Sequence, residues 1–304
     1  MAYVDEEIAS QPSSWRRAAD LAGEAADVLP RPGERVAVVG CGTSWFMAMA
    51  YAGLREAAGL GETDAFAGSE FPLSRPYDRI VAITRSGTTT EILDLIAATS
   101  VPTTAIVGDP DSPAVTAADE TVLLPWADEK SVVQTRFATS ALALFRAHLG
   151  ADLSAAIADA EHTVTAELPL DPAATEQVTF VGRGWTVGLA QEAALKCREA
   201  AAFWTEAYPA MDFRHGPISI SAPGRAVWAF GEVPVGLEAD VARTGATFVH
   251  ADRGGPGRAA GSAVSRDPMA DLILAQRFAV ALARHKGLDP DTPRNLTRSV
   301  ILEP

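Results

Sequence analysis

Short apolar runs alternate with longer amphipathic ones from residue 35 onward. "RVAVVG" (35–40), "RIVAIT" (79–84), "TTAIVG" (103–108) and "ETVLLP" (120–125) are β-branched and bounded by Gly, Pro or Asp, the pattern of strands buried on both faces of a parallel sheet. Between them lie "SWFMAMAYAGLREAAG" and "TTTEILDLIAATS", and after them "SVVQTRFATSALALFRAHLG", all with apolar residues at helical spacing. That alternation predicts an open α/β unit. A second series begins with "QVTFVG" (177–182), continues with "RAVWAFG" (225–231) and "ATFVHAD" (246–252), and closes on a long helix. The ends of that helix are punctuated, with Asp267 as N-cap, Pro268 at the first helical position and Gly287 just past the end. The polar, Pro-containing stretch "AELPLDPAATEQ" (166–177) separates the two series. The expected domains are therefore 1–165, opening with an N-terminal helical segment, and 166–304, ending with a C-terminal tail.

The two series resemble each other. "VAVVGCGTSWFMAMAYAGLREAA" and "VTFVGRGWTVGLAQEAALKCREAA" both run strand, Gly-x-Gly, helix, with Gly40 and Gly182 offset by 142 residues (182 − 40). Such self-similarity predicts an internal duplication of one domain, although one continuous doubly wound sheet would accommodate the same strands. Neither turn is a dinucleotide fingerprint, because Trp45 and Val187 stand where the third glycine would be, and no GxxxxGK[ST] occurs. Sites for NAD and ATP are disfavoured, and no cofactor is expected.

Composition narrows the chemistry. With 48% hydrophobic and 21% charged residues among 304, the chain reads as globular rather than disordered. A net charge of −14 argues against a duplex-binding surface, which needs clustered Lys and Arg. Cys41 and Cys197 have no CxxC or Cys/His spacing, so neither a disulfide framework nor a metal site is expected. The N-terminal "MAYVDEEIASQPSSW" lacks an apolar signal region and no segment is an uninterrupted apolar span. A cytoplasmic protein, without membrane or nucleic-acid partners, is the expectation.

One loop invites an anion. Thr84, Arg85, Ser86, Thr88 and Thr89 follow a strand and open a helix, where free backbone N–H groups and the helix dipole favour negative charge. Ser44 occupies the matching place after the first strand, at the carboxyl edge where open α/β sheets bind ligands. Ser and Thr in such places also serve as N-caps, but one cap accounts for one hydroxyl and not for a cluster with an arginine. Elsewhere Lys196 and Glu199, at i and i+3, match an ordinary solvated helix pair, and His215 beside Gly216 and Pro217 matches a loop histidine satisfied by backbone.

Taken together, "CGTSW", "TRSGTTTE", "EKSVVQT", "EAALKCREAAAFWTEAYPAMDFRHGPISI" and "GLDPDTPRNLTRSVILE" resemble the double SIS (sugar isomerase) family. That family includes the isomerase half of glutamine-fructose-6-phosphate aminotransferase, stand-alone amino-sugar phosphate deaminase/isomerases and fructosamine phosphate deglycases. The resemblance covers nearly the whole chain. It implies an α/β fold of two SIS domains, each an open parallel sheet flanked by helices. It also implies a phosphate cradle of Ser44, Thr84, Arg85, Ser86 and Thr89, with Thr84 and Arg85 standing where the aminotransferase has Ser and Gln. Glu199 matches the base that moves a proton between the first two sugar carbons, with Lys196 its helical neighbour, and His215 matches a ring-opening histidine supplied by the partner subunit. Gly42, Thr43, Glu129, Val132, Thr135 and Arg298 fall on the sugar pocket.

The expected activity is that of a metal-independent isomerase or deaminase of an amino-sugar 6-phosphate, working as a homodimer with shared sites. The alternatives are a fructosamine phosphate deglycase and a non-catalytic phosphosugar-binding protein. Two departures from the family pattern bear on this. No glutaminase domain precedes the first unit and residue 2 is Ala2 rather than a nucleophilic cysteine, so glutamine is not the expected nitrogen source. Arg298 stands where the aminotransferase carries an imine-forming lysine, and a guanidinium, always protonated, does not form an imine.

Overall fold

Every apolar run read as a strand forms one, and each of two separate parallel sheets gains an edge strand that the hydrophobic pattern hides. The computed structural model describes residues 2–251 and 266–302, so Asp252 of the 246–252 run and Glu303 of the C-terminal motif lie outside the described residues. The chain divides into two units, Ser10–Leu153 with Thr297–Pro304, and Met1–Ala9 with Ser154–Leu296. Helices α1 (Tyr3–Ala9) and α2 (Gln11–Leu21) open the chain, one in each unit.

The first sheet contains β1 (Val36–Gly40), β2 (Thr63–Ala67), β3 (Arg79–Thr84), β4 (Thr103–Val107) and β5 (Glu120–Leu123) in the order β2-β1-β3-β4-β5. Helices α3 (Thr43–Ala57), α4 (Thr90–Ala98), α5 (Pro113–Ala117) and α6 (Arg136–His148) alternate with these strands. Ala37, Val39, Ile80 and Ala82 pack against Ile92, Leu95 and Ile96 of α4. Tyr51 stacks on Phe145 at 4.2 Å to join α3 to α6, and the Trp15 indole donates to Thr139 Oγ1 at 2.9 Å to join α2 to α6. With both faces covered, the central strands must be apolar throughout, which is why they stand out in the sequence. Edge strand β2, "TDAFA", is only partly buried and carries no such run.

The second sheet repeats the arrangement: β6 (Gln177–Gly182), β7 (Thr205–Pro209), β8 (Arg225–Phe230) and β9 (Thr247–His250) in the order β7-β6-β8-β9. Its helices are α7 (Ser154–Thr163), α8 (Thr186–Ala201), α9 (Leu237–Thr244) and α10 (Pro268–His285). Trp228, tilted against its cross-strand neighbour Phe180, meets Phe278 of α10 on one face, while Val181, Val227 and Ala229 pack against Leu237 and Val241 of α9 on the other. The α10 start is the one expected: Asp267 Oδ1 accepts from the Met269 N–H at 2.9 Å, Pro268 is the first helical residue, and Gly287 adopts φ +66° past the end.

The duplicated Gly-x-Gly turns have one physical cause. A Cβ on Gly40 would lie 2.6 Å from the Ser44 carbonyl carbon, and one on Gly182 would lie 2.3 Å from the Thr186 carbonyl oxygen. In both units the first turn of the following helix therefore sits directly on the end of the strand. Gly42 and Gly184 then reverse the chain at the same φ of +56°, a conformation that costs a side chain-bearing residue free energy. These features establish two α/β units, each a parallel sheet flanked by helices. Among the described residues no helix is long and apolar enough to cross a membrane.

Candidate active site

In the first-sheet unit the strand order reverses between β1 and β3, whose carboxyl ends pair side by side through Gly40 and Ile83. That edge is the usual ligand crevice of a doubly wound sheet. It brings Gly42, Thr43 and Ser44 after β1 next to the loop 84–89 after β3. Thr43, Ser44, Thr84, Arg85 and Ser86 are all buried. Gly87, at φ +61°, presses on Ser112 so closely that a Cβ would lie 1.9 Å from its hydroxyl oxygen. The loop backbone is thus fixed from below.

The hydroxyls form a chain. Ser86 Oγ accepts from the Thr88 N–H at 3.3 Å and from Thr88 Oγ1 at 3.0 Å, and Thr88 Oγ1 lies 2.9 Å from Ser299 Oγ. With Thr88 donating to Ser86, Ser299 must donate to Thr88, and the Ser86 proton is left to donate outward. Thr89 is the N-cap of α4, yet its side chain makes no capping bond, so its hydroxyl is not consumed by the helix.

Arg85, Glu129, Val132, Thr135 and Arg298 gather beside this loop in the same unit. Arg85 Nη1 donates to the carbonyls of Ser131 (2.9 Å) and Val132 (3.4 Å), and Nη2 donates to the Arg298 carbonyl (3.0 Å). Arg298 Nη2 bridges both Asp128 carboxylate oxygens at 2.7 and 2.8 Å, and Nη1 donates to the Glu129 carbonyl. The buried Glu129 carboxylate accepts from Thr135 N and Oγ1, Arg136 N and Phe137 N at 2.6–3.2 Å. It satisfies the open N–H groups at the start of α6, which begins at Arg136 and not at Ser131 as the periodicity of "SVVQTRFATSALALFRAHLG" suggests.

In the second-sheet unit the equivalent crevice lacks such hydroxyls. Thr186, the counterpart of Ser44, spends its hydroxyl on Arg183 N (2.9 Å) and the Phe230 carbonyl (2.9 Å). The loop after β8 reads Gly231-Glu-Val-Pro-Val-Gly236, and Glu232 pairs with Arg183. The chemistry of this unit lies instead on α8. Lys196 is fully buried, with Nζ 2.5 Å from Glu199 Oε2 and 3.4 Å from Glu192 Oε1. Glu199 keeps one fifth of its side chain exposed and lines a cleft of about 680 Å³, whose opposite wall is the segment 287–296. That wall is stapled by Asp289 Oδ2, which accepts from Thr292 Oγ1 at 2.7 Å, and by Asp291, which accepts from the N–H groups of Tyr3 and Val4. Burial pushes the neighbouring Cys197 thiol up to about 12. Glu192 was not singled out in the sequence, although the Glu-x₃-Lys-x₂-Glu spacing places all three charges on one helix face.

His215 is exposed, at the end of a single 3₁₀ turn (Asp212–Arg214) after β7, where its backbone N–H donates to the Asp212 carbonyl at 2.8 Å. Trp204 and Met211 on the same stretch are half-exposed. Among the described residues no cluster of three or more His, Cys, Asp or Glu side chains has the geometry of a metal site.

No family model matches the chain. Against individual proteins it is 26% identical, over an alignment of 358 positions, to glutamine-fructose-6-phosphate aminotransferase [isomerizing] of Yersinia pseudotuberculosis serotype I, covering 99% of this chain and 59% of that protein. The chain thus spans somewhat over half the length of the curated relatives it matches over most of its own length. Among solved structures it matches glucosamine-6-phosphate deaminase of Thermotoga maritima (TM-score 0.82, 23% identity, 99% of this chain and 100% of that one). It also matches the C-terminal domain of glucosamine-fructose-6-phosphate aminotransferase of Francisella tularensis (TM-score 0.79, 22% identity, 96% and 98%). The two-sheet architecture is the fold of these two solved structures.

Proposed function

We propose that the chain is a phosphosugar isomerase or amino-sugar phosphate deaminase. The observation that carries this reading is the pairing of a fully buried Lys196 with a Glu199 that opens onto a cleft. An ion pair that served only stability would gain nothing from one partner facing a roomy cavity, and burying it costs desolvation. Lys196 engages Oε2 and orients the carboxylate, which leaves Oε1 for a substrate proton.

In this reading Ser44, Ser86 and Thr89, with the loop N–H groups, take the phosphate of the substrate, and Thr88 orients the Ser86 hydroxyl. Glu199 removes the proton from the carbon next to the sugar carbonyl as the carbonyl oxygen takes up a proton. The resulting carboxyl then delivers its proton to the former carbonyl carbon while the neighbouring hydroxyl or amino group gives up a proton to become the new carbonyl or imine. For an amino sugar, the imine so produced is hydrolysed by water with release of ammonia. His215 opens the cyclic sugar by moving a proton from the anomeric hydroxyl to the ring oxygen, and its exposure suits delivery to a second copy of the chain in a homodimer. Two of the similar proteins, a glucosamine-6-phosphate deaminase and an isomerising glutamine-fructose-6-phosphate aminotransferase, lie in the same class.

A panel of hexosamine 6-phosphates, ketohexose 6-phosphates and fructosamine 6-phosphates tests this, with ammonia release, free amine release and aldose–ketose conversion read separately. Ammonia or interconversion supports the proposal, and free amine alone would move the activity to a deglycase. A second reading, a phosphosugar-binding protein without turnover, is favoured by the engagement of the Arg298 guanidinium with Asp128 and Glu129, at the position where the family resemblance implies an imine-forming lysine. Binding without exchange of solvent deuterium into the sugar would select it.

A further inference from the structure

The last described residues of the chain run beside the phosphate loop and bond to it at two places. On one side, the Thr90 N–H at the start of α4 donates to the Val300 carbonyl at 3.2 Å, and the Leu302 N–H returns a bond to Thr90 Oγ1 at 2.9 Å. The first helical N–H is therefore satisfied by the tail, and the N–H groups available to an anion are those of the loop before it. On the other side, Arg85 reaches from the loop to the Arg298 carbonyl, while Arg298 itself grips Asp128 and the Glu129 carbonyl. Ser299, between these two attachments, stands at the head of the hydroxyl chain through Thr88 to Ser86.

We infer that Arg85, Arg298 and Asp128 form a clasp that seats the tail against the phosphate loop, and that Arg298 is a positioning residue acting through Ser299. Arg298 sends its two Nη atoms to different acceptors, a carboxylate and a main-chain carbonyl, which the planar guanidinium spans and a single ammonium does not reproduce. Arg85 is buried and donates to carbonyls on both the 131–132 segment and the tail, so one side chain couples three segments of the chain at the loop. Loss of the clasp releases Ser299, and with it the fixed direction in which Thr88 and Ser86 donate. The clasp thereby sets how well the loop is prepared for an anion, which rests on the phosphate reading of that loop given above.

The test uses Asp128→Asn, Arg298→Ala and Arg298→Lys in the full chain, with two independent readouts. The first is amide hydrogen exchange at Thr90 and Leu302, which reports the tail directly and needs no substrate. We expect exchange to speed up by about tenfold in Arg298→Ala, less in Asp128→Asn, and to be only partly restored in Arg298→Lys. The second is the affinity and turnover of whichever sugar phosphate the wild type accepts, where Asp128→Asn should raise KM about fivefold with kcat held within about twofold. Unchanged exchange in both Arg298→Ala and Asp128→Asn would overturn the clasp. A collapse of kcat in Arg298→Ala with KM unchanged would instead place Arg298 on the reacting atoms. If the wild type binds no sugar phosphate, the functional reading fails while the exchange data still decide whether the clasp exists.

Discussion

Lys196 and Glu199 meet at 2.5 Å, three residues apart on α8, with the lysine fully buried and the glutamate partly open to a cleft. Residues at this spacing on an exposed helix face contribute a few tenths of a kcal/mol and are readily exchanged. Here the lysine has left solvent and sits between two carboxylates, Glu192 being the other. Its removal therefore has consequences that a surface pair does not share.

Lys196→Met should destabilise the chain by about 3 kcal/mol or more, because it leaves buried Glu192 with Glu199 nearby and no cation between them. Urea denaturation at pH 7 measures this. A loss below about 1 kcal/mol would mean that the cluster is solvated.

Glu199→Gln keeps the shape of the side chain and removes the carboxylate proposed as the base. Turnover should vanish while ligand affinity stays within about tenfold, and exchange of solvent deuterium into the bound sugar should stop. Persistent exchange would assign the base elsewhere.

Ser86→Ala with Thr88→Ala removes two linked hydroxyls of the loop. A hydrogen bond to a charged group is worth about 1.5–3 kcal/mol, so calorimetric affinity for a sugar phosphate should fall by at least about tenfold. The weak binding of the unphosphorylated sugar should be unaffected, and equal losses for both would count against the loop as the phosphate site.

Mixing an inactive Glu199→Gln chain with an inactive His215→Ala chain should restore up to about one quarter of the activity. Random pairing makes half the dimers mixed, and each mixed dimer has one intact site of two. No recovery after verified subunit exchange would show that His215 does not serve a neighbour.

Burial raises the Cys197 thiol from its ordinary value of 9.0 to about 12, so the unfolded chain gives up that proton first as pH rises. The unfolded state then binds fewer protons than the native one, and native stability falls between pH 9 and 12. Wild type should accordingly lose stability relative to Cys197→Ala when urea midpoints are compared at pH 8 and pH 10. Parallel losses in both proteins would show that the thiol does not contribute.

The central strands, the duplicated Gly-x-Gly turns and the N-cap of α10 were legible in the sequence because each reflects a local rule. A strand covered on both faces must be apolar along its length, a strand end under a helix must lack a Cβ, and Asp before Pro opens a helix. The edge strands β2 and β7 were not legible, because a strand with one covered side needs no continuous apolar run. The loop 84–89 was recognisable as hydroxyl-rich, yet its link through Thr88 to Ser299 spans 211 residues of chain and has no local signature. Arg85 and Arg298 carried charge in the sequence without showing what it meets, and the fold gives their guanidinium groups to carbonyls and to Asp128. Likewise the spacing of Glu192, Lys196 and Glu199 determined that they share a helix face, while only the packing of the second unit decided that this face is buried and that Glu199 reaches a cleft. Periodicity records which side of an element is apolar, whereas the partner of a polar group depends on which distant segments the completed fold brings within about 3 Å of it.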